Sequence, residues 1–190
     1  MLMFTKQDIE SYFTAFKNEQ LLLMIPGGAA LIVALLFYFW LKTPWHKGFA
    51  LPLAVFAMLF CGAGFSNYKK TEQLRIRSVY NYDMHPEQLK IKELPRAKEV
   101  QQNMRVLIYL NASIIIASFL IFLYFRKKEE NEYYMGTASS LFLMSSLSVA
   151  IYFFMLGPLK AYTAGIEKFT EKIIVKPSPA SPEERAVPIQ

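Results

Sequence analysis

Side chains suited to acid–base catalysis are few in this sequence, and they are scattered. The two histidines, His46 and His85, fall in different polar segments, and only the second has carboxylates near it: Asp83, Glu87 and Glu93. A carboxylate and a histidine in one pocket can transfer a proton, so an enzyme built on this segment is one hypothesis. Solvated surface charges explain the same residues, and the HExxH, GxSxG and glycine-rich phosphate motifs are absent. We therefore expect no enzyme, no cofactor and no metal site.

Hydroxyl groups are the second set with a chemical use, because a row of them can line a path for water or a small solute. Five serines lie in the apolar run 134–159: Ser139, Ser140, Ser145, Ser146 and Ser148. A passive channel is one interpretation of this run. Tight helix packing is the other, since a serine in a helix can donate its hydroxyl to a backbone carbonyl of the same helix.

Four long apolar runs position these groups. They cover residues 21–41, 49–66, 106–125 and 134–159, and none of them contains an Asp, Glu, Lys or Arg. A helix rises 1.5 Å per residue, so even the shortest run is about 27 Å long and can cross the hydrocarbon core of a bilayer. The sequence therefore predicts an all-α polytopic membrane protein, a four-transmembrane-helix bundle made of two hairpins. Proton- or ion-coupled transport is disfavoured, because such transport needs ionisable groups within the membrane.

The segment 1–20 has the pattern of an amphipathic helix. Its apolar residues, Ile9, Tyr12, Phe13 and Phe16, recur at helical spacing, and charged residues occupy the other positions. Such a stripe suits an interfacial helix that lies on the membrane. It equally suits a helix that packs on the connector between the hairpins.

The connector, 67–105, is predicted to be cytoplasmic and helical. Pro86 and Pro95 divide it into three pieces, and proline is tolerated in the first turn of each following helix. Its aromatic and apolar residues mean that it either folds back on the bundle or receives a partner. The tail, 160–190, is predicted to begin with an amphipathic stretch and to end as a disordered proline-rich segment.

Small and polar residues within the runs predict helix packing. Small residues four positions apart let two helix backbones approach closely. In lipid this close contact matters, because burial of apolar area does not drive helices together there. A buried amide needs a hydrogen-bonding neighbour, which makes Asn111 a packing residue as well. The other predicted packing residues are Ala57, Cys61, Gly62, Gly64, Ser66, Gly136, Ser139, Ser140 and Ser146. This packing is expected either inside the bundle or against a partner.

The charge distribution predicts the orientation. Lys and Arg number 16 in 1–20, 68–105 and 160–190, against 5 in the two short turns. Cytoplasmic segments carry the excess of cations, so both termini and the connector are expected in the cytoplasm, with the protein in the plasma (inner) membrane. The same rule explains the net charge of +6, so we expect no nucleic-acid partner. The likeness of AALIVALL at 29–36 to ASIIIASF at 112–119 suggests a duplicated hairpin.

By elimination, we expect a non-enzymatic membrane protein that acts by protein–protein interaction. The concrete forms are an accessory subunit and an immunity-type protector against a membrane-active toxin, and the partner is another protein or a second copy of the chain. Aromatic and guanidinium groups dominate binding hot spots, so the candidate contacts on the connector are Arg75, Arg77, Tyr80 and Tyr82. A passive channel or small-solute facilitator is the alternative, and an interfacial enzyme is the third hypothesis.

Overall fold

The computed structural model describes residues 4–41, 43–126 and 131–175, and these contain helices and no strand. Helix α1 (Lys6–Leu36) ends in a π-helical turn (Phe37–Leu41), and α2 spans Pro44–Met84. A short α3 (Pro86–Gln88) and a second π-helical turn (Leu89–Glu93) lead into α4 (Leu94–Phe125), and α5 spans Glu132–Val175. The proline-rich end of the predicted tail, 176–190, lies outside the described residues.

The helices form two hairpins that stand side by side. In the first, α1 and α2 are antiparallel, since Lys6 pairs with Asp83 at one end and Phe37 contacts His46 at the other. In the second, α4 and α5 are antiparallel as well, and the Phe125 ring stacks on a tyrosine near the start of α5. Helices α2 and α5 pack against each other in the middle, and α1 and α4 flank them. The predicted all-α four-helix bundle is confirmed.

Each of the four long helices has one apolar and one polar half. All four are long and apolar enough to cross a membrane, which gives the chain the architecture of a multi-pass membrane protein. We call residues 21–41, 49–66, 106–125 and 134–159 the lipid half. The remaining parts, 6–20, 67–84, 86–105 and 160–175, pack together on one side and are called the water half. In α2 the water half has 18 residues, or about 27 Å of helix.

The amphipathic segment near the N-terminus belongs to this water half. Helix α1 runs through residue 20 without a break, so the segment is the upright first part of α1 and not a separate interfacial helix. Ile9, Tyr12 and Phe13 are buried, and both rings contact Tyr162 of α5. The stripe therefore packs within the bundle, because the three other long helices, α2, α4 and α5, also extend beyond the lipid half and cover it.

The two prolines of the connector have different effects on the chain. Helix α2 ends at Met84, one residue before the His85–Pro86 step, where the chain reverses direction. Pro95 interrupts nothing: it lies in the first turn of α4, directly after the π-helical turn 89–93. Proline has no N–H to donate to the carbonyl four residues earlier, and the wider π-helical turn accommodates that loss. Two of the three predicted pieces are thus one continuous helix.

Candidate partner-binding face

The hairpins approach closely at two glycines, each of which is the fifth residue of its helix, α2 or α5. A Cβ on Gly48 would overlap the carbonyl oxygen of Tyr133, and a Cβ on Gly136 would overlap the carbonyl oxygen of Trp45. The contact is reciprocal, because each glycine meets the residue three positions before the other glycine. Pro52 adds to it by leaving the Gly48 carbonyl without its usual helical donor. The Thr137 hydroxyl donates to that carbonyl across the interface at 3.1 Å.

Helices α1 and α2 approach each other at two further glycines. A Cβ on Gly64 would lie 2.6 Å from Cγ of Met24 and 3.1 Å from the Gln20 carbonyl oxygen. Gly27 faces Cys61, whose Sγ would lie 3.0 Å from a Cβ placed there. Small residues at these positions therefore let the two backbones come close, as helix packing in lipid requires.

The residues predicted to pack fall into two groups. Buried positions in the described chain are Ala57, Gly64, Asn111, Gly136 and Ser140, and Cys61, Ser139 and Ser146 are half-buried. Gly62 and Ser66 are exposed, and nothing lies within 4 Å of a Cβ placed on Gly62. For these two residues, the prediction that they pack inside the bundle is wrong. They lie on the outer face of α2, because two residues in a helix turn the direction by about 200° away from Gly64.

The serines of α5 mostly form hydrogen bonds within their own helix. Ser139, Ser146 and Ser148 donate to the carbonyl oxygens of Met135, Phe142 and Met144 at 2.8, 2.7 and 2.8 Å. Ser140 and Ser145 are fully buried, and their hydroxyls have no partner among the described residues. On α4, Asn111 donates to the Leu107 carbonyl at 2.8 Å, and its side-chain oxygen is buried without a partner.

An aromatic cluster holds the water half together. The rings of Tyr12 and Tyr162 stack with centroids 3.9 Å apart and planes inclined by 6°. Tyr82 stacks on Phe169 at 4.9 Å, and its hydroxyl donates to the carbonyl oxygen of Phe4 at 3.3 Å. These contacts join α1, α2 and α5, so the water half is a packed core and not a loose linker.

A buried charge lies beside this cluster. Glu93 is 6% exposed, and its carboxylate accepts hydrogen bonds from Arg96 and, at 3.0 Å, from the Tyr162 hydroxyl. Burial raises the pKa of Tyr162, and the negative charge of Glu93 raises it further. Burial acts most strongly on the pKa of Arg96 and lowers it, but the hydrogen bond to Glu93, the negative charge of Glu93 and smaller contributions from Tyr12 and Tyr162 together outweigh burial, so the pKa is raised. The phenol is therefore neutral and the guanidinium charged at physiological pH.

The four predicted partner contacts do not share one face of α2. Tyr82 belongs to the aromatic cluster and is not available to a partner. Arg75 is turned towards Glu72, with Nη2 and Oε1 2.6 Å apart, and that hydrogen bond raises the pKa of the guanidinium. Arg77 is exposed, and Tyr80 is 56% exposed. Only these two lie on the surface of α2 that faces away from the bundle.

Two residues missing from the predicted set complete this surface. Ile76 and Met84 are 60% and 64% exposed, and with Tyr80 they recur every four residues along α2. Residues four apart in a helix lie one above the other on the same face. We call Ile76, Arg77, Tyr80 and Met84 the α2 stripe. The continuous helix through Met84 is the signal that would have found it, because the helix assigns every residue of 67–84 to a face.

The α2 stripe lies well outside the lipid half. Ser66 ends the second apolar run, and Ile76 and Met84 follow it at helical distances of about 15 and 27 Å. The polar headgroup layer of a bilayer adds only about 5–8 Å beyond the hydrocarbon core. Lipid therefore does not cover these side chains when α2 stands upright in the membrane.

The acid–base candidates do not converge on one pocket. Asp83 pairs with Lys6 at 2.7 Å, Glu87 is exposed, and Glu93 is buried with Arg96. His85 contacts the Tyr80 ring at 6.0 Å. Within the part of the chain that the structure describes, no group of three or more His, Cys, Asp or Glu side chains is placed to hold a metal ion.

Comparison with known proteins adds no relative to this description. Searches against protein-family models, curated proteins and solved structures found no match for the chain. The fold has the architecture of a multi-pass membrane protein, with four helices that are long and apolar enough to cross a membrane. The proposal for its function therefore rests on the geometry of the α2 stripe.

Proposed function

We propose that this chain acts by binding another protein at the membrane. The observation that supports the proposal is the α2 stripe: three large apolar side chains, each more than half exposed, on a helix whose opposite side is buried in a packed core. Aligned apolar side chains that stay exposed outside the lipid are typical of interaction sites. Tyrosine and arginine, both present in the stripe, are the residues most often found at binding hot spots.

The concrete forms of this function are an accessory subunit of a membrane complex and an immunity-type protector against a membrane-active toxin. Both need a rigid surface at a fixed height above the bilayer. The aromatic cluster supports such rigidity, because the stacking of Tyr82 on Phe169 ties α2 to α5 on the side opposite the stripe. The hydrogen bond between Glu93 and Tyr162 ties the start of α4 to α5 as well. A passive channel has less support, since Ser139, Ser146 and Ser148 satisfy their hydroxyls within α5.

We also place the protein in the plasma (inner) membrane with both termini and the water half in the cytoplasm. The excess of Lys and Arg in 1–20, 68–105 and 160–190, 16 against 5 in the turns, supports this orientation. Reporter fusions at Trp45 should then report the outside and fusions at Asp83 the cytoplasm. An external signal at Asp83 would overturn the orientation.

Site-specific photo-crosslinking in native membranes tests the binding function. A photoreactive phenylalanine analogue replaces Tyr80 in the stripe, and a control replaces Glu99, which is exposed on the water half of α4. We expect a discrete protein adduct from position 80 and none from position 99. Adducts of equal yield from both positions would contradict a specific face.

A further inference from the structure

The carboxylates on the water half of α2 already form ion pairs within the chain. Glu72 pairs with Arg75 at 2.6 Å and with Lys17 at 3.5 Å, and Asp83 pairs with Lys6 at 2.7 Å. These two are the only acidic residues in 67–84. No ion pair within the described chain engages Lys69, Lys70 or Arg77, and all three are exposed. The outward side of α2 is therefore basic as well as apolar.

Height above the membrane separates these cations. Lys69 and Lys70 follow the apolar run by three and four residues, so lipid phosphates lie within their reach. Lys69 also keeps its ammonium 4.4 Å from the centre of the Phe65 ring. Arg77 stands eleven residues past Ser66, about 16 Å along the helix. That height is beyond the headgroup layer, so lipid does not supply a counter-charge for Arg77.

A second copy of the chain fits this face poorly. Two copies in one membrane pack in parallel about a two-fold axis, and each residue of a shared face then lies near its own equivalent. Arg77 would face Arg77, and Lys69 would face Lys69. Like charges that face each other across an interface cost free energy and suppress the pairing.

We propose that the α2 stripe binds a helix of another protein that carries an apolar ridge and, beside it, carboxylate groups. This inference rests on the proposed binding function and adds the chemistry of the partner. The ridge covers Ile76, Tyr80 and Met84, and a carboxylate accepts hydrogen bonds from the guanidinium of Arg77. A guanidinium binds a carboxylate through two parallel hydrogen bonds, which also fixes the register between the two helices.

The test uses the full-length protein in native membranes with the photoreactive residue at position 80. The adduct yield is compared among Arg77, Arg77→Lys and Arg77→Glu, and the set is repeated with the photoreactive residue at position 76. Lys90→Glu is the matched control, since Lys90 is exposed on the water half but outside the stripe. Size-exclusion profiles verify that each variant stays folded.

We expect Arg77→Glu to lower the adduct yield about tenfold, because a negative charge at position 77 repels the carboxylates of the partner. Arg77→Lys should lower the yield less, because the lysine keeps the positive charge that attracts them. Lys90→Glu should leave the yield within about twofold. Fragment analysis of the adduct should place the cross-link in a helical segment that contains Asp or Glu. Together these results support the proposal.

The other outcomes overturn it in distinguishable ways. A protein adduct whose yield is indifferent to Arg77→Glu removes the acidic partner but leaves the binding function. An adduct of twice the mass of the chain shows a second copy, and an adduct with lipid shows that the stripe lies against the bilayer. No adduct from either position 76 or position 80 removes both the acidic partner and the proposed function.

Discussion

The two halves of this bundle bring the same four helices together with opposite kinds of residue. At the end of the lipid half that lies away from the water half, α2 and α5 meet at Gly48 and Gly136, where each backbone contacts the other without a side chain between them. In the water half, α1 and α5 meet through the stacked rings of Tyr12 and Tyr162. The glycine interface forms because there is no side chain between the two backbones, and the tyrosine interface forms because two large side chains stack.

The solvent explains this difference. In water, burying aromatic surface is itself favourable, so a bulky core gains stability from its size. In lipid, apolar side chains are equally well solvated outside the bundle, and helices gain only from close contact and hydrogen bonds. The lipid half should therefore be sensitive to added atoms, and the water half to removed ones.

The largest effect should come from filling the glycine crossing. In Gly136→Leu the new side chain overlaps the backbone of α2 at Trp45, which cannot rotate away. We expect a loss of about 3 kcal/mol or more in the free energy of unfolding, followed by circular dichroism during unfolding in mixed detergent. Gly62→Leu is the control, because a side chain there meets open space and should change little. Equal losses in both variants would remove the contrast between the halves.

Deleting the central ring should nearly match that effect in the water half. Tyr162→Ala removes the partner of Tyr12 and the hydrogen bond to Glu93, and we expect a cost of about 3 kcal/mol in the same measurement. Tyr109→Ala provides the comparison, because Tyr109 is 72% exposed on the lipid half. Its loss should cost under about 0.5 kcal/mol. A larger cost for Tyr109 would show that exposed aromatic residues stabilise the lipid half too.

Neutralising the buried carboxylate should have an intermediate effect. Glu93→Gln keeps the size of the side chain but leaves Arg96, which is partly exposed, without its ion pair. We expect a cost of about 1–2 kcal/mol in thermal unfolding. Glu87→Gln, at an exposed position six residues earlier, should be neutral. Unchanged stability of Glu93→Gln would mean that shape alone maintains this core.

The surface ion pair of Glu72 should give the smallest effect, and one that depends on pH. The hydrogen bond from Arg75 holds the pKa of Glu72 below its ordinary value of 4.5. A lowered pKa in the folded state adds stability above that value, and this stability is lost as the pH falls through the folded-state pKa. The melting temperature of Glu72→Gln should thus be slightly lower than that of the unchanged protein at pH 7, and the two melting temperatures should be equal at pH 2. A difference that persists in acid would point to packing instead of charge.

Sequence alone was enough to predict the membrane architecture but not to predict which face of each helix is buried. Unbroken apolar runs identify spans because no other segment avoids charge for so long. Gly62 and Gly64 have the same side chain and lie two residues apart, yet only Gly64 packs within the bundle. Tyr80 and Tyr82 show the same limit, since Tyr80 is on the surface and Tyr82 is half-buried against the core.

These assignments depend on which neighbour covers each face, and that depends on contacts between distant parts of the chain. The stripe of segment 1–20 is an example: its apolar pattern fits a membrane surface and a protein core alike. Only the extension of α2, α4 and α5 beyond the lipid half decides between them. A pattern within one helix carries no information about how far its neighbours extend.

The reciprocal glycine crossing has a consequence for biosynthesis. Gly48 is translated long before Gly136 leaves the ribosome, so we expect the first hairpin to enter the membrane before α5 is there to pack against Gly48. Helices α1 and α2 hold together in that interval through Gly27 and Gly64, which need nothing from the second hairpin. The crossing can form only when α5 arrives, so we expect the joining of the hairpins to follow the assembly of the first hairpin in a newly made chain.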